Sequence, residues 1–196
     1  MAVRHLDVVA VTTVAGNQSL EKVTTNALRV LALAGASGIP VAAGCEFPLR
    51  GRPEYAAGVH GESGLDGADL PPPLAEPDGR HGADVLVDAA IPDLTDTIVA
   101  TGPLTNVATA LGRDPDLHSR LSLISLMGGS FGAGNVTPAA EFNVHFDPEA
   151  AATVFTAGVP IMMSGLNLTR QASAGDPEIA RFRGLGNRAG RIVAGL

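Results

Sequence analysis

One cysteine, Cys45, occurs in 196 residues. A lone thiol excludes an internal disulfide framework and fits a reducing compartment. No apolar run reaches the roughly 18 residues that a membrane helix requires. The first residues lack the charged-then-apolar order of a secretory leader, so the expected setting is soluble and cytoplasmic. Lysine is nearly absent: Lys22 stands alone against twelve arginines, and the net charge is -7. With acids scattered singly and no basic stripe, nucleic acid is not an expected partner, and neither is a membrane. No two acidic residues are adjacent anywhere, and no internal repeat is evident.

What is present suits a single folded domain over residues 1–196. Hydrophobic residues make up 45%, and the 24 glycines and 14 prolines fall at the ends of apolar segments. Residues 5–13 (HLDVVAVTT) read as a strand covered on both faces. Ser19 then caps a helix whose Leu20, Val23, Ala27, Leu31 and Ala34 form one stripe, ended by Gly35 and Gly38. Residues 39–44 make the second strand, completing a βαβ unit. Residues 46–80, with three prolines at 71–73, form an irregular excursion. Helix 83–90, strand 97–101, helix 105–111 and strand 121–127 follow. Asp147 caps a helix with Pro148 at its first position, running to Ala157 before Gly158. Strand 160–166, a helix opening at Asp176-Pro177-Glu178 and a helical stretch 190–196 complete the chain. Strands alternating with helices predict an α/β fold, a mostly parallel open sheet with helices on both faces.

The chain is organised around residues 126–147. Four glycines in seven residues (Gly128, Gly129, Gly132, Gly134) follow an apolar strand, then come Asn135 and Glu141-Phe142-Asn143. Glycines let backbone approach a ligand, and ligands of open α/β sheets lie beyond the carboxyl ends of strands. The amides and carboxylate suit hydroxyl groups, and Phe142 offers a ring face. The glycine order does not fit a dinucleotide fingerprint. If 141–143 is extended and alternates, Phe142 points away from Glu141 and Asn143. Glu141 is the hardest residue to read as merely structural, because a buried carboxylate needs partners. Asn17 also reads as a turn residue. His60, in a glycine-bounded loop, also reads as solvent-exposed. His5, His81, His118 and His145 read as surface or packing, as do Cys45 and the pair Met162 and Met163.

Six motifs in order give the chain a family resemblance: TTVAGNQ (12–18), PVAAGC (40–45), HGESG (60–64), TGPLTN (101–106), the block MGG…GN…EFN…DPEA (127–150) and GLNLT (165–169). Together they resemble the inosine-uridine preferring nucleoside hydrolases over about residues 5–175, with Asn167 where an aspartate is usual. The resemblance implies a Rossmann-like fold, a ribonucleoside substrate, hydrolysis of the N-glycosidic bond to base and ribose, bound Ca²⁺, and a homo-oligomer. Carried across by position, it implies that Asn17, Met127, Asn135, Glu141 and Asn143 meet the ribose. His60 and Phe142 would then lie by the base, His60 as a possible leaving-group contact, and Thr101 would offer its backbone carbonyl to the metal. The family's N-terminal strand with an Asp-x-Asp-x-x-x-Asp-Asp cluster, which holds the general base, has no counterpart here. The late His-Asp pair has none either. The expectation is therefore a domain lacking the first strand and helix and the C-terminal part, with a gap between the flanking strands, little calcium affinity and impaired catalysis. The alternatives are a noncatalytic ribose or nucleoside binder and a fragment completed by a partner.

Overall fold

The computed structural model describes residues 6–91 and 96–195. His5, the start of the first expected strand and the final Leu196 lie outside them. Five strands appear in chain order: β1 (Val11–Thr13), β2 (Val41–Ala43), β3 (Asp96–Ala100), β4 (Leu121–Met127) and β5 (Ile161–Ser164). Every pairing between them is parallel, as the alternating pattern requires. The ten helices described are α1 (Leu20–Ala34), α2 (Ala57–His60), α3 (Gly82–Ala89), α4 (Thr105–Arg113), α5 (Leu117–Arg120), α6 (Phe142–Phe146), α7 (Pro148–Phe155), α8 (Leu166–Thr169), α9 (Asp176–Gly184) and α10 (Arg188–Val193).

The strands form two sheets, β1-β2 and β3-β4-β5. Among the described residues β1 pairs only with β2 and β3 only with β4, so the expected gap lies between β1 and β3. The gap explains why β1 is short. Residues 6–10 have strand-like composition but no described neighbour, and Leu6, Val8 and Val9 stay exposed. Only three positions, Val11, Thr12 and Thr13, find partners on β2.

Helices reach both faces of β1-β2. The Thr13 hydroxyl lies 2.7 Å from that of Thr24 in α1, whereas neighbouring Thr12 faces Gly82 of α3. Adjacent strand residues point to opposite faces, so α1 and α3 sandwich this sheet. The larger sheet is covered on one side. Ile98, Ala100, Ile124, Leu126, Ile161 and Met163 join the core beneath α3, α4 and α7. On the other side Val99 is 66% and Met162 59% exposed. The packing expected of the methionine pair therefore holds for Met163 and fails for Met162, whose strand position faces the open side.

Local signals act as the chemistry predicts. Ser19 caps α1 and Gly35 ends it at φ 68°. The buried line of α1 runs through Thr24 and Leu28 rather than along the predicted stripe, and Ala34 is exposed. Polar residues on the flank of α1 hydrogen-bond to the excursion at 61–71. Asp147 caps α7 with Pro148 at its start.

Candidate functional site

The carboxyl end of β4 runs into the glycine-rich loop, which Glu141 closes. Glu141 is the N-cap of α6, its Oε2 accepting from Val144 N at 3.2 Å and from Gly129 N at 2.9 Å. One buried carboxylate thus ties both ends of the loop together. Both donors use Oε2, and among the described residues Oε1 has no donor. Asn143 donates through Nδ2 to Met127 O at 2.9 Å, which turns its Oδ1 outward as an acceptor. Asn135 accepts from Phe142 N at 2.9 Å and keeps its Nδ2 as a free donor. The extended reading of 141–143 is corrected: these residues open a helix. Phe142 accordingly stacks one turn on, 6.1 Å from the ring of Phe146, rather than alternating against its neighbours.

The remaining predicted residues reach the same rim through contacts remote in sequence. A Cβ on Gly16 would lie 2.9 Å from Pro103 and 3.8 Å from the Phe142 ring. That places the exposed Asn17 turn between the Thr101 strand end and Phe142. His60 is the half-buried last residue of α2, and the next residue, Gly61, accepts from Gln18 Nε2 at 2.6 Å. Asn17, Thr101, Met127, Asn135, Glu141, Phe142 and Asn143 therefore gather along the carboxyl ends of β1, β3 and β4, and the segment carrying His60 is tied to the Asn17 turn through Gln18 and Gly61. Two surface hollows, about 350 Å³ and about 230 Å³, lie away from them, beside Thr24 and Pro77 and beside Pro115 and Thr156.

The site also depends on residues that the sequence did not mark as part of it. Asn106, buried at the start of α4, accepts from Cys45 N at 2.8 Å and donates to Thr13 O at 2.9 Å. It bolts the element after β3 onto the ends of β1 and β2. Gly44 leaves room for it, since a Cβ there would sit 2.2 Å from its side chain. Asp147 is fully buried and does more than cap α7. It accepts from Leu49 N at 2.9 Å, the Thr105 hydroxyl at 2.7 Å and Ala150 N at 3.0 Å. Asn167 accepts from Phe131 N at 3.2 Å and Arg170 donates to Gly134 O at 3.0 Å, so α8 props the glycine loop from behind. For Asn106 and Asp147 the signal is a buried polar side chain, visible only once the chain is folded.

Cys45 packs beside α4. Burial pushes its thiol pKa up, and its sulfur contacts the Thr109 hydroxyl at 3.4 Å. His81, read as surface or packing, is the N-cap of α3: its Nδ1 accepts from Ala83 N at 3.1 Å, so the ring proton sits on Nε2, toward Cys45. Burial lowers the His81 pKa, and the charge of Arg113 adds to that.

Calcium takes six to eight oxygens, several of them carboxylate. Among the described residues no group of three or more His, Cys, Asp or Glu is placed to hold a metal. Thr101 is exposed at the end of β3, and the Glu141 carboxylate commits Oε2 to two backbone amides, leaving Oε1 alone to offer a metal. These donors do not fit a complete calcium site. No helix among the described residues is long and apolar enough to cross a membrane.

Known proteins resemble this chain in sequence and fold. The chain is 49% identical over 196 residues to the pyrimidine-specific ribonucleoside hydrolase RihA of Photobacterium profundum, covering 98% of this chain and 62% of that protein. It is 46% identical to the protein of the same name from Escherichia coli O139:H28, covering all of this chain and 63% of that one. The chain thus spans about three fifths of the length of the curated relatives it matches. Among solved structures, a purine-preferring ribonucleoside hydrolase from Gardnerella vaginalis superposes with a TM-score of 0.90 at 30% identity, over 96% of this chain and 61% of that one. A plant nucleoside hydrolase gives 0.89 at 37% identity over the same shares. The description that matches residues 1–196 is "Inosine-uridine preferring nucleoside hydrolase". The chain belongs to that family.

Proposed function

We propose that this chain forms the sugar- and base-recognising rim of a ribonucleoside hydrolase, acting on the N-glycosidic bond to give free base and ribose. The observation that carries the reading is the gathering of Glu141, Asn143, Asn135 and Asn17 at one set of strand ends. Their free groups complement sugar hydroxyls: Glu141 Oε1 and Asn143 Oδ1 accept, and Asn135 Nδ2 donates. Met127 lies against the ribose, and Phe142 and His60 lie toward the base. Cleavage leaves negative charge on the departing base, and the His60 imidazole donates a hydrogen bond or a proton to it. Relatives at 46–49% identity carry pyrimidine-specific names, which favours uridine over inosine as ligand.

The Thr101 carbonyl is the one calcium contact assigned to this chain. With so few oxygens it binds the ion weakly by itself, and turnover by the isolated polypeptide is impaired. Calorimetric titration tests the reading. Uridine binds more tightly than inosine, and Glu141→Gln weakens uridine about tenfold, as loss of a charge-assisted hydrogen bond does. Absence of heat with every nucleoside, or an unchanged affinity in Glu141→Gln, rules the rim out.

A second reading rests on the split sheet. The open edges of β1 and β3 suit a fragment that works together with further polypeptide paired against them. Under this reading ribonucleoside affinity rises when that polypeptide is supplied.

A further inference from the structure

The segment that carries His60 is held by a row of side chains from one face of α1 and the residues just before it. Gln18 Nε2 donates to Gly61 O at 2.6 Å, Lys22 Nζ to Glu62 O, and Asn26 Nδ2 to Ser63 O at 2.8 Å. Arg29 donates to Leu70 O at 2.8 Å and Pro71 O at 3.1 Å. Positions 22, 26 and 29 share one face of α1, Gln18 lies just before its N-cap, and the carbonyls the four take follow in chain order. The turn is itself pre-shaped. Asp66 accepts from Glu62 N and Ser63 N, both at 2.9 Å, and Gly61, Gly64 and Gly67 all have positive φ. The carbonyls of 61–63 point toward α1 and its N-terminal flank.

Gln18 differs from the other three members. It is 4% exposed, its Cγ would lie 3.0 Å from a Cβ on Gly64, and it directly follows Asn17. Its amide therefore joins a residue on the sugar side of the rim to the residue after His60, 43 positions along the chain. We infer that Gln18 is the positioning residue that sets His60 relative to Asn17, and so fixes the base side of the site against the sugar side. The inference rests on the ribonucleoside reading for its ligand, but the mechanical tie is independent of it.

The test replaces Gln18 by Met, which keeps length and bulk and removes the donor. Amide exchange at residues 60–65 then quickens about tenfold while α4 and β4 keep their protection, as expected when one local tie opens. Uridine affinity falls about fivefold, the worth of one neutral hydrogen bond, while ribose affinity stays within about twofold. Adding Gln18→Met to His60→Ala costs nothing more for uridine, because the tie acts through the imidazole. The proposal is overturned if exchange at 60–65 is unchanged, if ribose and uridine weaken equally, or if the two substitutions multiply. Should Gln18→Met strip protection from α4 and β4 as well, Gln18→Glu takes its place, isosteric but without a donor at neutral pH, with the same expected and overturning results. If the unsubstituted chain binds neither ligand, the ribonucleoside reading fails, and the exchange result alone upholds or overturns the tie.

Discussion

At the scale of single residues, the site is built from buried polar groups whose partners are backbone amides. Asp147 is the extreme case: three donors from three segments converge on one fully buried carboxylate. Replacing it by Ala leaves Leu49 N, the Thr105 hydroxyl and Ala150 N without an acceptor, at a cost of about 3 kcal/mol in urea unfolding. Asp147→Asn keeps one acceptor oxygen and costs about half as much. Equal stabilities for the three proteins would show that the bonds contribute nothing. The sequence announces Asp147 as a helix cap, because Asp-Pro-Glu is a local pattern. It cannot announce Thr105 or Leu49, which lie 42 and 98 positions away. Glu141, Asn143 and Asn135 were legible as polar groups after a glycine-rich strand end. Gln18 and Asn106 were legible only as members of family motifs, since nothing beside them in the chain marks them as buried.

Among the elements, the long ones follow their local chemistry and the short ones follow tertiary partners. Strand β4 spans the residues its apolar run predicts, and α1 starts at Ser19 and stops at Gly35. Helix α6 escapes prediction because it has five residues and is capped by a glutamate, not one of the favoured short caps. Helix α3 carries a pH dependence through its own unusual cap. Burial lowers the His81 pKa below the ordinary imidazole value of about 6.5, so the unfolded chain takes up a proton there more readily than the folded one. Stability from this group is complete above 6.5 and is lost as pH falls through 6.5 toward the lower folded value. His81→Asn keeps a capping acceptor and removes the titration. Its urea midpoint therefore falls less than that of the parent between about pH 8 and about pH 5. Parallel pH profiles for the two proteins would remove His81 as the cause.

Over the whole molecule, the governing feature is a sheet in two pieces held by α3, α4 and the Asn106 bolt. Alternating strands and helices predicted the parallel α/β architecture, and the comparison with family motifs predicted the gap. The exposed side of β3-β4-β5 follows from neither, because strand composition does not say which face finds cover. Open edges with Val99 and Met162 bare predict concentration-dependent self-association in sedimentation velocity. Val99→Lys shifts that equilibrium toward monomer about tenfold, the worth of one buried valine. A monomer at every concentration would show that the bare face is inert.

Mapping ribose and uridine onto the backbone amides by NMR titration tests the single rim most directly. The account predicts shifts confined to residues 16–18, 60–61, 129, 135 and 141–143, with those at 60–61 and 142 larger for uridine than for ribose. Shifts centred instead on the hollow beside Pro115, His118 and Thr156, or none at saturating ligand, would contradict it.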